Sequence, residues 1–150
     1  MSLFTDELRS WIGREVNYAA PDPLSSSAFR YFALALDDDN PRWSAGEAPP
    51  TFICDSNQYL DSDFALRSGG HVWPLPVPNT RVLRGGHEYE FIRPPYVGDR
   101  LAVTWRIEDI KQRQSADGRE LLIVVSLAIY RTVEGELLAT NRETIMYQAL

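Results

Sequence analysis

The 150-residue sequence is 44% apolar and 24% charged, with 21 acidic against 15 basic side chains and a formal net charge of −6. A chain of this length buries roughly 68–70% of its unfolded surface, enough for one sizeable core, so residues 1–150 are expected to form a single domain. The acidic balance argues against non-specific binding to nucleic acid, which needs a basic footprint to displace phosphate counterions. The lone Cys54 closes no internal disulfide, and one cysteine with two histidines does not make a structural zinc site. No run approaches the ~18–20 apolar residues of a membrane span. The first residues lack the basic segment and apolar core of a signal peptide. A cytoplasmic protein with no membrane or nucleic-acid partner is expected.

Thr5 followed by Asp6 and Glu7 predicts a helix N-cap with acids in the first turn, where the helix dipole favours them. This short helix carries Leu8 and Trp11 inward and stops near Gly13. A brief strand over Arg14–Ala19 runs into the turn residues Pro21, Asp22 and Pro23. A second helix is predicted from about Ser25 to Leu36, with Ala28, Phe29, Phe32, Ala33 and Leu36 at helical spacing. The acidic run Asp37–Asn40 ends it ahead of Pro41. A third helix is predicted from Pro50–Thr51 to Leu60, since proline fits a first turn whose N–H is unpaired anyway. Residues 61–80, with Phe64 and Trp73, read as a long loop or lid.

From residue 81 the period changes to two. His87, Tyr89 and Phe91 share one strand face, with Glu88 and Glu90 on the other. Leu101, Val103, Trp105 and Ile107 alternate with Ala102, Thr104 and Arg106. Leu121–Tyr130 is apolar on both faces, the pattern of a central strand covered on both sides. Leu137–Tyr147 alternates more loosely. Turns are expected at Pro94–Asp99, Asp117–Gly118 and Glu134–Gly135. A helix-rich first half followed by four long antiparallel strands predicts an α+β hot-dog roll, a curved sheet wrapped around one helix. A helix-then-cone fold of the kind that houses steroids and small acids is the layered alternative.

Glycine loops for phosphates and a G-x-S-x-G nucleophile elbow are absent from the sequence. Cys54 reads as a small buried hydrophobe rather than a nucleophile. Asp37–Asp38–Asp39 lacks the alternating ligands, glycine and final glutamate of a calcium loop. No metal and no cofactor are expected.

The informative stretch is Tyr31–Trp43, in which a helix runs into Asp38-x-Asn40-Pro41. It resembles the G-D-x-N-P-x-H signature of MaoC-like (R)-specific enoyl-CoA hydratases and dehydratases. Ala48-Pro-Pro-Thr-Phe52 is similar to the start of the central helix in that family's N-terminal half-domain, the FAS1-like dehydratase type. Arg81–Pro94, followed by Gly98-Asp99, resembles its first long strand and turn. With Trp11-Ile-Gly13, the likeness covers most of the chain in the right order.

The resemblance implies an Asp/His pair that holds a water for addition or removal across C2–C3, and a backbone N–H that polarises the thioester carbonyl. Asp38 stands at the Asp position, but Trp43 stands at the His position and Pro49-Pro50 replaces the His-Gly that opens the helix. Indole shuttles no proton at neutral pH and proline offers no N–H. The resemblance therefore implies the non-catalytic or accessory half of a double hot-dog, binding acyl-CoA or acyl-carrier protein in fatty acid metabolism. It would pair as a homodimer or as a heterodimer with a catalytic hot-dog subunit. A rival is a self-sufficient hydratase or dehydratase in which His87 or His71 serves Asp38; a third reading is a non-enzymatic module for acyl groups or hydrophobic acids. At the position before Arg93-Pro94, where the family often has histidine, this chain has Ile92. Arg81, Arg84, Arg93 and Arg100 are the candidates for coenzyme A phosphates, which favour forked guanidinium hydrogen bonds.

Overall fold

The computed structural model describes residues 3–54 and 73–150. Helix α1, Asp6–Arg9, begins as expected, with Thr5 Oγ1 accepting the Leu8 N–H at 3.2 Å. Leu8 is fully buried, while Trp11 is half-buried and carries the Arg14 guanidinium 4.0 Å over its ring. Strand β1, Glu15–Ala19, pairs antiparallel with the start of β3 (Leu101–Gln114). Helix α2, Ser26–Ala35, is capped by Ser25 Oγ, which accepts the Ala28 N–H. It buries Phe29 and Ala33. Leu36, expected on the same face, is the C-cap and 54% exposed, because the helix ends one residue earlier and the chain reverses through a left-handed Asp37 (φ 54°).

The sequence reading missed α3, Pro41–Ser44, a single turn capped by Asn40. The predicted third helix is represented by a 3₁₀ turn over Pro50–Cys54. The rest of that helix, the Cys54 side chain, Phe64 and His71 lie outside the described residues. The chain is described again from Trp73, in irregular structure that leads into β2, Thr80–Phe91.

Strands β4 (Glu120–Thr132) and β5 (Leu137–Ala149) complete an all-antiparallel sheet in the order β1-β3-β4-β5-β2. Both central hairpins turn where glycine was expected, at Gly118 (φ 81°) and Gly135 (φ 102°). Bulges at Ile107/Asp109, Tyr130/Arg131 and Arg84/Gly86 break the register; such extra residues bend a strand and increase its twist. At the last of these, a Cβ on Gly85 would sit 2.9 Å from Thr144 Cγ2, so only glycine lets β2 approach β5 there.

One face of the sheet carries the core. Phe29, Phe52 and Ile53 pack with Leu101, Val103, Trp105, Ala128, Tyr130 and Leu138. Leu8 packs with Ile107, Ile110, Leu122, Val124 and Tyr147, and Trp73 touches both clusters. Phe52 is the hinge of the first cluster, edge-on to Phe29 at 4.8 Å and to Phe32 at 5.4 Å.

Strand β4 departs from expectation. Leu122, Val124 and Ala128 are buried, but Ile123, Val125, Leu127 and Ile129 on the other face are only half-buried. Arg106 and Arg142 flank Leu127 in register and share Glu108 at 3.7 and 2.9 Å. Their alkyl stems do part of the shielding that a second layer would otherwise supply.

Candidate functional site

The Asp38-x-Asn40-Pro41 motif is a pair of local caps. Asp38 donates its N–H to Ala33 O, and its Oδ1 accepts the Asn40 N–H at 3.1 Å. Asn40 Oδ1 in turn accepts the Arg42 N–H at 3.1 Å, which starts α3, with Pro41 in the first turn where its missing N–H is harmless. Trp43 therefore points back into the body of the protein. It is 7% exposed, and its indole N–H has no hydrogen-bond partner among the described residues.

Tyr31, Leu34, Asp38, Asn40, Trp43 and Ser44 line a groove of about 440 Å³ between α2 and α3. Tyr31 (73%) and Leu34 (75%) are strongly exposed, so the groove has an apolar lip. It offers two carboxylates, Asp38 and Asp39, and, among the described residues, no imidazole. Behind it, the N–H groups of Ala48 and Phe52 are used within the chain, by Pro95 O and Pro49 O, each at 2.9 Å. The groove can receive an apolar group, but nothing described in it activates a water.

His87 stands elsewhere. On β2 it stacks with Tyr89 (5.7 Å), which stacks with Phe91 (5.6 Å), as the period-two pattern predicted. Its ring nitrogens face β5, with Nδ1 3.1 Å from Asn141 Nδ2 and Nε2 3.6 Å from Glu143 Oε2. No hydrogen bond or ion pair joins His87 to Asp38 among the described residues.

The four arginines differ in what holds them. Arg93 is taken up by Asp99 (2.7 Å) and Glu136 (2.5 Å), which hold its guanidinium well above its ordinary range and draw the Glu136 carboxyl below its own. Arg81 grips Gln148 Oε1. Arg100 gives Nε to Ala20 O at 2.7 Å, and Arg84, 58% exposed, meets only Glu143, at 3.6 Å, among the described residues. Arg84 and Arg100 thus keep guanidinium nitrogens for an anion.

Sequence reasoning passed over Asn141 and Glu143, which are 0% and 7% exposed. The signal was present in the phase of β5, where both fall on the parity of the buried Ala139 and Tyr147. Desolvation pushes the Glu143 carboxyl above its ordinary value, partly offset by His87 and Arg84. A carboxyl raised in the folded state binds more protons there than in the unfolded chain, so stability falls as pH rises through that raised value. Glu143→Gln, which carries no charge, is expected to be more stable than the wild type at neutral pH and to converge with it as the pH falls toward the ordinary glutamate value. Urea midpoints measured over a pH series test this, and parallel profiles for the two proteins would contradict it.

Residues 10–141 match the family profile described as FAS1-like, dehydratase domain region. The chain belongs to that family. It is also 30% identical over 123 residues to a UPF0336 protein of Streptomyces coelicolor, a match spanning 73% of this chain and 77% of that one. Among solved structures, the ChsH1–ChsH2 complex of Mycobacterium tuberculosis is similar, with 19% identity, a TM-score of 0.65, and 87% of this chain and 82% of that chain covered. So is the C-terminally truncated HadBC (3R-hydroxyacyl-ACP dehydratase) complex of the same organism, with 23% identity, a TM-score of 0.61, and 89% and 96% covered. At these identities the likeness establishes the fold alone, an α+β hot-dog domain. Within the described residues, no helix is long and apolar enough to cross a membrane.

Proposed function

We propose that this chain is the acyl-thioester-binding accessory half of an (R)-specific enoyl-CoA hydratase or 3-hydroxyacyl dehydratase. The observation that carries this reading is Trp43, which is buried at the position where the family resemblance puts the catalytic histidine, so that among the described residues the groove gives Asp38 no imidazole. Pro49 and Pro50 stand where a helix-opening amide would polarise the thioester carbonyl, and they have no hydrogen to give. Acid–base transfer and oxyanion stabilisation must then come from a second hot-dog domain. Two of the similar structures are complexes named for two different chains, ChsH1–ChsH2 and HadBC, which supports a partner of the same fold. Among the described residues, strand β2 offers it twelve residues along one edge of the sheet, and unpaired edges of that length seek a neighbour. Arg100 is the side chain proposed to meet the phosphates of coenzyme A or of a carrier-protein arm.

The test is co-expression with a hot-dog chain that carries an intact Asp/His signature. A stoichiometric complex that dehydrates 3-hydroxyacyl thioesters faster than the catalytic chain alone is the expected result. Absence of any complex, with an acyl ligand retained by the lone chain, would favour a non-enzymatic binding module instead.

A further inference from the structure

At the boundary between its two apolar clusters, the inner face of the sheet carries a polar row. Ile107, Ser126, Glu143 and His87 stand in register across β3, β4, β5 and β2. The next row places Asn141 between Ala128 and Tyr89. Ser126 is served by Trp73 Nε1 at 2.9 Å. The two β5 side chains are not fully served. Asn141 spends its amide nitrogen on His87 Nδ1, and its Oδ1, on a residue with no exposed surface, has no partner among the described residues. The Glu143 carboxylate accepts no hydrogen bond among the described residues, and its nearest cations, His87 Nε2 and Arg84, stand 3.6 Å away.

An apolar residue at position 141 would avoid the penalty of a buried acceptor left without a donor. That acceptor, Asn141 Oδ1, lies two residues from the ion-paired Glu143 on one strand face. Both adjoin the edge strand, where the side chain of His87 is 35% exposed and that of Arg84 is 58% exposed. The polarity of the missing donor is specified: it must give a hydrogen to an amide oxygen beside a carboxylate, within an otherwise apolar face.

We infer that Asn141, Glu143 and His87 form a subsite for a hydroxyl group carried on the acyl portion of the bound thioester, remote from the reacting carbons. The hydroxyl donates to Asn141 Oδ1 or to the Glu143 carboxylate. It accepts from His87 Nε2–H, the proton-bearing nitrogen of the tautomer in which Nδ1 accepts from Asn141. The chain so read selects hydroxylated acyl groups over plain alkyl ones. This rests on the thioester-binding reading above.

The full chain is titrated calorimetrically with plain alkanoyl-CoA thioesters and with their mono-hydroxylated counterparts of equal chain length. At least one hydroxylated ligand is expected to bind roughly tenfold or more tightly than its plain partner, because a site built around a hydroxyl penalises the analogue that lacks it. Asn141→Leu, which removes the orphaned acceptor, is expected to bring that ratio to about one by weakening binding of the hydroxylated ligand. His87→Phe, at the exposed edge, supplies a further variant if Asn141→Leu does not fold. Equal binding of every pair by the wild type, or a preference that survives all the substitutions, overturns the subsite. Binding of neither ligand class overturns the thioester reading itself and this inference with it.

Discussion

Assayed alone on crotonyl-CoA, the chain is expected to hydrate it no faster than buffer does. A general acid or base contributes about 10²–10⁴ in rate, and one oxyanion donor about 10²–10³. Losing both removes ~10⁴–10⁷, which brings most enzymes' advantage down to a rate that is hard to detect. The groove at α2–α3 retains Asp38, but that carboxylate already accepts the Asn40 N–H, and the buried residue beside it is an indole. Trp43→His alone is expected to restore little, since the prolines still withhold the amide. Ordinary turnover by the lone chain, abolished by Asp38→Asn, would show that an imidazole reaches Asp38 after all and would remove the accessory reading.

The second large effect is on stability. Phe52 is 1% exposed and sits edge-on between Phe29 and Phe32, tying the 3₁₀ turn to α2 and to the sheet. Phe52→Ala should lower the unfolding free energy by about 3–5 kcal/mol through lost apolar transfer and the cavity left behind. Domains have only about 5–15 kcal/mol in total, and for this chain length each kcal/mol moves Tm by ~2–4 °C. A fall of roughly 6–20 °C is therefore expected. Leu34→Ala, at a position 75% exposed on the opposite side of α2, should stay within about 0.5 kcal/mol of wild type. If both variants melt alike, the packing of the 3₁₀ turn against α2 does not hold this part of the fold together.

Much of the fold was readable before any coordinates. Thr5 and Ser25 announced their helices because a hydroxyl placed before an apolar periodic stretch has backbone donors to serve. The strands announced themselves by parity, and His87, Tyr89 and Phe91 stack along one face as that parity required. The single-turn α3 was not readable, because four residues present no periodicity and its Asn40 cap looks the same as a loop residue. Strand β4 misled for a different reason. Its second apolar face is partly shielded by arginine stems from β3 and β5, and a one-dimensional pattern does not distinguish a neighbour's alkyl chain from a helix.

The site divides along the same line. The order of residues alone establishes that Trp43 and Pro49-Pro50 stand where a proton shuttle and an amide donor would be needed, since the absence of a chemical group requires no geometry to read. It also set the charge balance, the strand faces and the caps, all of which depend on neighbours a few residues apart. Only the tertiary structure decided where distant residues meet: His87 with Asn141 and Glu143 rather than with Asp38, and Arg93 spent on Asp99 and Glu136 while Arg84 and Arg100 keep free nitrogens. Those pairings follow from strand order and register, which bring β2 against β5 across more than fifty residues of chain. No local propensity encodes them, because the energy that selects a register is shared over the whole buried face.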